Sequence, residues 1–309
     1  MQARPLRIGT RGSPLALAQA HEVRARLTAA HGLPEAAFEI RVYKTTGDQI
    51  QDRPLAEVGG KGLFTKEIED GLIAGEIELA VHSMKDMQTE LPPGLGIGAV
   101  LPREDVRDAF ISLTHASLAA LPEGAVVGTS SLRRQAQVCR IRPDLRVVGF
   151  RGNVQTRLRK LSEGVADATL LACAGLNRLG LADRITSPIA TDEVLPAVAQ
   201  GAIAVEIRIE DEATAGLVAP LNHEATALCV TAERALLARL EGSCRTPIAG
   251  LATLAADTLT LRAMVLSPDG MAAFDMTREG RPEHAAALGT TTADALLELG
   301  AAALLPKSD

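Results

Sequence analysis

Eight basic residues, Arg11, Lys61, Lys85, Arg133, Arg134, Arg151, Arg157 and Arg178, fall at or next to points where the sequence predicts a strand giving way to a helix. In open α/β sheets, ligands bind beyond the carboxyl ends of the strands. Helix starts offer free N–H groups to anions there, and arginine adds a planar fork that grips a carboxylate with two bonds. Hydroxyls accompany the cations: Arg11-Gly12-Ser13, and Thr129-Ser130-Ser131 running into Arg133-Arg134. Together they predict a cleft for a polyanion bearing carboxylates or phosphates. Taken singly, each cation would suit a solvated helix face equally well. His82-Ser83-Met84-Lys85-Asp86 sets an acid beside a base at a predicted strand end. A carboxylate at Asp86 could stabilise a developing cation or move a proton. The bland alternative is a turn with an ordinary surface Lys85–Asp86 pair, and His82 alone fits a hydrogen-bonded structural histidine. Cys244 lies in Glu241-Gly242-Ser243-Cys244-Arg245-Thr246-Pro247, a small-residue loop beside a cation. Such a setting lowers a thiol pKa and favours a nucleophile. Cys139, Cys173 and Cys229 sit in apolar periodic segments and are expected to be packed.

Composition excludes several classes. The net charge of −6 argues against a globally basic nucleic-acid binder. With five Phe, one Tyr and no Trp, the cores must be aliphatic and no base-stacking platform is available. No apolar run reaches the roughly 18–20 residues that span a bilayer, and the N-terminal decapeptide lacks the apolar centre of a signal peptide. The four cysteines form no C-x-x-C pair, so no structural metal site is expected, and they read as reduced cytoplasmic thiols. There is no G-x-S-x-G or H-E-x-x-H. Gly59-Gly60-Lys61-Gly62 lacks the spacing of a phosphate-binding P-loop, and Gly94–Gly98 precedes a strand rather than a helix.

The elements that must position these residues alternate. Leu6–Thr10 reads as a strand, and Ser13-Pro14 caps a helix with Ala16, Ala20, Val23 and Leu27 on one face, closed by Gly32. Strands are expected at Phe38–Val42, Ile77–Val81 and Leu95–Leu101, and a helix on Phe64, Ile68 and Leu72. Pro102–Asp105 resembles a linker, after which the pattern restarts. Strands at 125–128, 146–150 and 168–172 alternate with helices opening at Ser131 and Asn153. This predicts α/β domains with largely parallel sheets. Ile8-Gly9-Thr10-Arg11-Gly12-Ser13 and Val127-Gly128-Thr129-Ser130-Ser131 share one local theme, suggesting two similar domains. The last third predicts a small α+β domain: a helix capped by Asn222 and ending at Gly242, strands around Ser267-Pro268-Asp269-Gly270, and a final helix over 292–305.

Several long segments resemble the porphobilinogen deaminase family, also called hydroxymethylbilane synthases. They are RIGTRGSPLALAQA (7–20), VGGKGLFTKEIE (58–69), AVHSMKDMQTELP (80–92), GTSSLRRQAQ (128–137), RGNVQTRL (151–158), AGLNRLG (174–180), LPAVAQGAI (195–203) and the stretch 221–244. The resemblance implies two domains like the halves of type II periplasmic binding proteins, with mainly parallel sheets, plus a small α+β domain. Their implied extents are 1–101 with 197–219, 105–194, and 222–309. It implies head-to-tail joining of four porphobilinogen molecules with release of ammonia, giving hydroxymethylbilane. The implied cofactor is dipyrromethane, built from two substrate units and held by a thioether to Cys244. Ser13, Lys85, Ser131, Arg133 and Arg134 would bind the cofactor. Arg11, Arg151, Arg157, Arg178, Lys61 and Phe64 would meet the substrate, whose pyrrole carries an acetate and a propionate. Asp86 and Lys85 would be catalytic, Asp86 facing the cationic azafulvene left when ammonia departs. On this reading Arg133→Leu or Arg134→Leu should leave the fold intact. The stretch 44–62 resembles the family's loop over the cleft. Two residues depart from the family pattern: Ser243 before the cysteine, which changes little in size, and Glu57 in place of a lysine, so that no lysine role in loop closure carries over. A monomer is expected, with a small-molecule substrate and neither nucleic acid nor membrane as partner. The competing reading is a non-catalytic cytoplasmic anion-binding protein on the same scaffold. A further alternative is an acid–base enzyme acting on a polycarboxylate without a covalent primer.

Overall fold

The computed structural model describes residues 4–49, 62–240 and 246–305. By packing, the chain divides into two units: Met1–Glu104 with Gly201–Ala227, and Asp105–Gln200 with Leu228–Asp309. The first crossing falls inside the segment read as a linker.

In the first unit, β1 (Leu6–Arg11), β2 (Phe38–Tyr43), β3 (Leu79–Ser83), β4 (Leu95–Val100) and β10 (Ile203–Arg208) form one sheet in the order β2-β1-β3-β10-β4. β1 runs parallel to both β2 and β3, whereas β10 is antiparallel to β3 and β4. Four strands therefore share a direction and only the returning strand opposes it. Both faces are covered, which is why β3 reads as an almost unbroken apolar run. Helix α1 (Pro14–His31) packs Ala20, Val23 and Leu27 on Ile8, Leu79, Val205 and Ile207. On the opposite face, α2 (Lys66–Ile73) packs Ile68 and Leu72 with Ile77, Ala80 and Leu95. Ser13 caps α1 by accepting the Ala16 N–H, Pro14 takes the first turn, and Gly32 closes the helix in the left-handed region at φ 62°.

The second unit repeats this plan. β5 (Asp108–Ser112), β6 (Val126–Gly128), β7 (Arg146–Val148), β8 (Ala168–Ala172) and β9 (Ser187–Pro188) run in the order β7-β6-β8-β5-β9. β6 is parallel to β7 and β8, and β5 is antiparallel to β8 and β9. Strand for strand this is the first sheet, with β5 in the place of β10. In each sheet the opposed strand is the one next to a chain crossing. Helices α3 (Leu132–Ile141), α4 (Val154–Ser162) and α5 (Cys173–Arg178) follow β6, β7 and β8.

Helix α6 (Glu212–Val218) precedes α7 (Glu224–Arg239), within which the chain passes back to the second unit. The helix begins at His223, whose Nδ1 takes the Thr226 N–H at 3.3 Å; Asn222, expected as the cap, instead accepts the Val100 N–H. An antiparallel sheet of β11 (Ile248–Ala255), β12 (Thr258–Leu266) and β13 (Ala273–Gly280) packs with α7 and α8 (Ala285–Glu298) around Leu236, Leu261, Val265 and Leu296. The final helix starts earlier than expected because Ala285 and Leu288 already belong to this core, and it stops before Gly300 at φ 107°. This α+β layer shares a packed cluster of Ala136, Leu195, Ala249, Met264 and Leu266 with the second sheet, so packing places both in one unit.

At the heart of the second unit, Asp108 opens β5 with no exposed surface. Its Oδ2 accepts from Arg133 Nη2 and its Oδ1 from Arg134 Nη2, both at 2.7 Å. Arg133 Nη1 also donates to the Leu195 carbonyl at 2.7 Å, and Arg134 Nη1 to the Leu170 carbonyl at 3.1 Å. Burial alone would raise the Asp108 carboxyl, but the two guanidiniums override it and hold it far below the usual carboxylate range. The expectation that Arg133→Leu or Arg134→Leu leaves the fold untouched is thereby corrected. These side chains tie α3 to β5, β8 and the Leu195 segment from inside the core.

The cluster makes an ordered prediction. Asp108→Asn strands two buried cations and should cost about 3–5 kcal/mol, the scale for breaking a buried ion pair. Arg133→Leu and Arg134→Leu each leave one neutral pair and should cost less. Arg159→Leu, which removes only an exposed 3.8 Å contact to Glu163, should match wild type. Denaturant unfolding at pH 7 checks the order. The stability that ionised Asp108 supplies is complete above its unfolded pKa of about 3.9. It should fade progressively as pH falls from there toward the lower folded value, and that acid limb should vanish in Asp108→Asn.

Candidate functional site

The first unit assembles one cluster at the carboxyl ends of β1 and β3. β1 ends at Arg11; Gly12 and Ser13 then turn the chain into α1, with Thr10 Oγ1 donating to the Ala16 carbonyl at 3.2 Å. β3 ends at Ser83 and continues into a single 3-10 turn, Met84–Asp86. These two strand ends enclose a cavity of about 50 Å³ lined by Arg11, Ser13, Gln19, Phe64, His82 and Asp86, among others. Arg11 lies over the Phe64 ring at 4.2 Å from its centroid, a cation–π contact that fixes the guanidinium at the cavity wall. Asp86 is exposed, and among the described residues its carboxylate makes no hydrogen bond or ion pair, with Lys85 or any other cation. Lys85 is half-buried on the same turn and does not line the cavity. His82 is buried, with Nε2 3.0 Å from a Glu206 carboxylate oxygen, in the structural role read from the sequence. Glu69, also buried in this unit, has its carboxyl raised above the usual range by burial and then by the nearby Glu206 charge.

Sequence reasoning missed Gln19. It is buried on α1 and its Nε2 donates to Ser83 Oγ at 2.8 Å, fastening the two strand-end segments together. The available signal was a polar residue one position before Ala20, on the face that carries Ala16, Val23 and Leu27.

The second unit assembles another cluster at the carboxyl ends of β6, β7 and β8, neighbours in its sheet. Ser131 caps α3, its hydroxyl accepting the Arg134 N–H at 3.4 Å, and Ser130 Oγ accepts the Phe150 N–H at 2.8 Å. Arg151 follows β7. Gly152, at φ 124°, lets the chain turn so that Asn153 caps α4 by accepting the Thr156 N–H at 2.9 Å. Arg157 Nε donates to the Gly152 carbonyl at 2.8 Å, and Arg178 closes α5. Arg133 and Arg134 are buried behind Ser131 on Asp108, and the Nε atom of each is buried without a hydrogen-bond partner. Two guanidiniums against one carboxylate leave one positive charge uncompensated, and no second carboxylate lies within ion-pair distance of either among the described residues. A buried unpaired donor costs stability, and buried surplus charge costs more. Asp108 was also missed, although an acidic residue opening the apolar run Ala109-Phe110-Ile111 marks a charge that needs buried partners.

Lys61 and Cys244, with Glu57, lie outside the described residues. The flanks of the Cys244 loop are described: Leu240 and Ile248 belong to one core, and Thr246 is buried. Of the other thiols, Cys173 is pushed up to about 12, chiefly by burial, and burial followed by Asp269 also raises Cys139. Neither is poised as a nucleophile. Among the described residues no cluster of His, Cys, Asp and Glu could hold a metal ion, and no helix is long and apolar enough to cross a membrane.

Comparison with known proteins follows this geometry. Residues 6–216 match the family model "Porphobilinogen deaminase, dipyromethane cofactor binding domain", and residues 227–298 match "Porphobilinogen deaminase, C-terminal domain". The chain is 61% identical over 292 residues to the porphobilinogen deaminase of Paracoccus denitrificans, covering 94% of this chain and 93% of that protein. It is 57% identical over 291 residues to that of Nitrobacter winogradskyi, covering 94% and 92%. Among solved structures, the methionine-binding protein MetQ overlaps 70% of this chain and 89% of its own at 11% identity and TM-score 0.44. The periplasmic VFT2 domain of Bordetella pertussis BvgS overlaps 69% and 85% at 16% identity and TM-score 0.40. With both family models matched in order and relatives alike over nearly their whole lengths, this chain belongs to the porphobilinogen deaminase family.

Proposed function

We propose that the two clusters described above carry out the family's reaction in this chain, with Asp86 as the catalytic carboxylate and Cys244 as the attachment point of the cofactor. The chain is a transferase of tetrapyrrole biosynthesis: it links four porphobilinogen molecules head to tail, releases ammonia at each addition and yields hydroxymethylbilane. Dipyrromethane is its cofactor, and when bound it supplies the primer on which the product grows. The residues present suit such a group. It carries several carboxylates, and the unpartnered Nε edges of Arg133 and Arg134, backed by one uncompensated positive charge, call for carboxylates. Ser13, Lys85 and Ser131 would complete that hold.

Each addition forms one carbon–carbon bond and breaks the bond to the leaving nitrogen. Ammonia departs, and a proton leaves the attacked pyrrole carbon. Positive charge develops on the incoming pyrrole and spreads to its N–H. The observation that carries the catalytic assignment is Asp86: an unpaired carboxylate at the rim of a cavity whose wall also holds Arg11 and Ser13. Its oxygens are open to accept the pyrrole N–H as charge builds, and to take the departing proton, because no cation among the described residues occupies them. Arg11, held on Phe64, suits a substrate acetate or propionate. Arg151, Arg157, Arg178 and Lys61 would receive further carboxylates as the chain lengthens. The absence of a Lys85–Asp86 pair disfavours the bland strand-end turn. The acidic, aromatic-poor composition supports a small-molecule substrate over a nucleic-acid partner, and a monomeric cytoplasmic enzyme remains part of this proposal.

Two experiments test this reading. Intact-protein mass should exceed the sequence mass by two linked pyrrole units, and Cys244→Ser should lose both the excess and the activity. An unmodified, fully active protein would sink the covalent primer; unmodified and inactive protein would favour the non-catalytic anion binder. Asp86→Asn, which keeps size but removes charge, should slow single-turnover ammonia release on cofactor-loaded enzyme by about 10²–10³-fold, the scale of removing one preorganised stabilising group. Asp86→Glu should retain a measurable fraction. Ammonia release at wild-type rate in Asp86→Asn would return Asp86 to an ordinary surface turn.

A further inference from the structure

The Asp108 cluster has a third donor that the reaction does not use. Gln200 is fully buried, and its Nε2 donates to Asp108 Oδ1 and to the Val106 carbonyl, both at 2.8 Å. It is the last residue of the second unit before the chain crosses back, and the backbone on either side of it is forced. Ala199 adopts φ 59°, a left-handed conformation that a side chain rarely takes, and its N–H is captured at 2.6 Å by the buried Glu233 carboxylate. Glu233 also accepts the Ala252 N–H of β11 at 2.8 Å. Gly201 follows at φ 89°, where a Cβ would sit 2.5 Å from the Glu104 carbonyl. The same segment is fixed at its start, where Leu195 donates its N–H to Gln137 Oε1 at 2.7 Å and offers its carbonyl to Arg133 and Gln137. Strained backbone persists only where its surroundings over-determine it. Here the strain aims one neutral amide at one carboxylate.

Neutrality is the telling property. A third cation on Asp108 would add to the buried positive surplus, and a carboxyl would cancel it. A neutral amide fills the open lone pair of Asp108 Oδ1 and leaves the charge of the cluster unchanged. We propose that Gln200 is a positioning residue for carboxylate recognition: through Asp108 it holds Arg133 and Arg134 with their Nε edges free and their surplus positive charge intact. This rests on the reading that those two arginines bind the carboxylates of the dipyrromethane.

The test compares Gln200→Glu, Gln200→Met and the double variant Gln200→Glu/Asp108→Asn. Dipyrromethane content of the purified full chain is read by intact mass, folding by thermal unfolding, and KM separately from kcat. Gln200→Glu cancels the surplus, so cofactor content should fall severely and KM for porphobilinogen should rise roughly tenfold or more. Gln200→Met keeps the surplus but loses the hold on Asp108, so its cofactor content should fall by more than its melting temperature accounts for, yet less than in Gln200→Glu. The double variant moves the negative charge from residue 108 to residue 200 and should regain cofactor relative to Gln200→Glu, even if that single variant folds poorly. A merely structural role predicts additive damage instead. Equal cofactor loss in Glu and Met variants that tracks their melting temperatures would overturn the proposal, as would undiminished cofactor in Gln200→Glu or no rescue in the double variant. The underlying reading fails separately: a folded Arg134→Gln protein with full cofactor would show that the arginines hold no carboxylate, whatever the Gln200 variants do.

Discussion

The buried ion cluster on Asp108 is the constraint to which most of the second unit answers. Removing a carboxylate and two guanidiniums from water costs several kcal/mol per ion after relaxation, and mutual attraction repays this only when geometry and hydrogen bonding are nearly complete. Here the carboxylate is complete: it accepts from Arg133, Arg134 and Gln200, and sits at the start of a strand whose next residues are wholly apolar. The guanidiniums are not complete, for each retains a buried Nε without a partner. A well-packed apolar cluster could stabilise the same space as well or better. What it could not supply is directed positive charge in a medium of low dielectric, where a carboxylate is held more strongly than at a solvated arginine. The unpaired edges cost stability, which the proposed carboxylate binding would recover.

That cluster sits where the fold can place it. In both sheets four strands run one way and the opposed strand adjoins a chain crossing, so the parallel strand ends of each unit gather on one edge. On that edge the chain turns from strand to helix three times in the second unit, at β6, β7 and β8; the first two turns carry Arg133, Arg134 and Arg151, whereas Arg178 lies at the far end of α5. The turns are hydroxyl- or amide-capped, by Ser131 and Asn153, or follow directly, as in α5. In the first unit Ser13 does the same for α1. Capping residues serve twice here, satisfying helix N–H groups and setting the direction in which the flanking arginines leave the backbone.

Much of this was legible in the sequence, because period and punctuation are local. The strands at 6–11, 38–43, 126–128 and 168–172, the Ser13-Pro14 helix start and the Ser267–Gly270 turn all follow from residue type and spacing. The strand-end placement of Arg11 and of Asp86 also follows from the pattern, whereas Phe64 beside them was anticipated only through the family resemblance. What residue pattern alone does not reveal is long-range. β10 returns to the first sheet more than a hundred residues after β4; nothing in its own pattern names its neighbours, and only the family resemblance implied the return. Asp108 and Gln200 are polar residues whose partners lie as many as 94 positions away, and a single sequence does not pair them. Arg133 and Arg134 were found for their chemistry, whereas their structural role required knowing what lay beneath α3.

The two clusters divide the electrostatic labour by depth. The arginine pair is buried, so its field is scarcely screened and its geometry is fixed by protein partners before any ligand arrives. That suits groups whose charge is permanent, such as carboxylates. Asp86 is exposed and unpaired among the described residues, so the field of its carboxylate is screened at rest and strengthens only as water is displaced from around it. On the proposed reading, that suits charge which exists only while a bond is breaking. A buried Asp86 would need a resident cation to stay ionised, and that cation would then compete with the developing charge the proposal assigns to it. Its exposure on a single 3-10 turn, anchored by the buried Met84 and the Gln19–Ser83 contact, leaves the carboxylate fixed in place yet unneutralised.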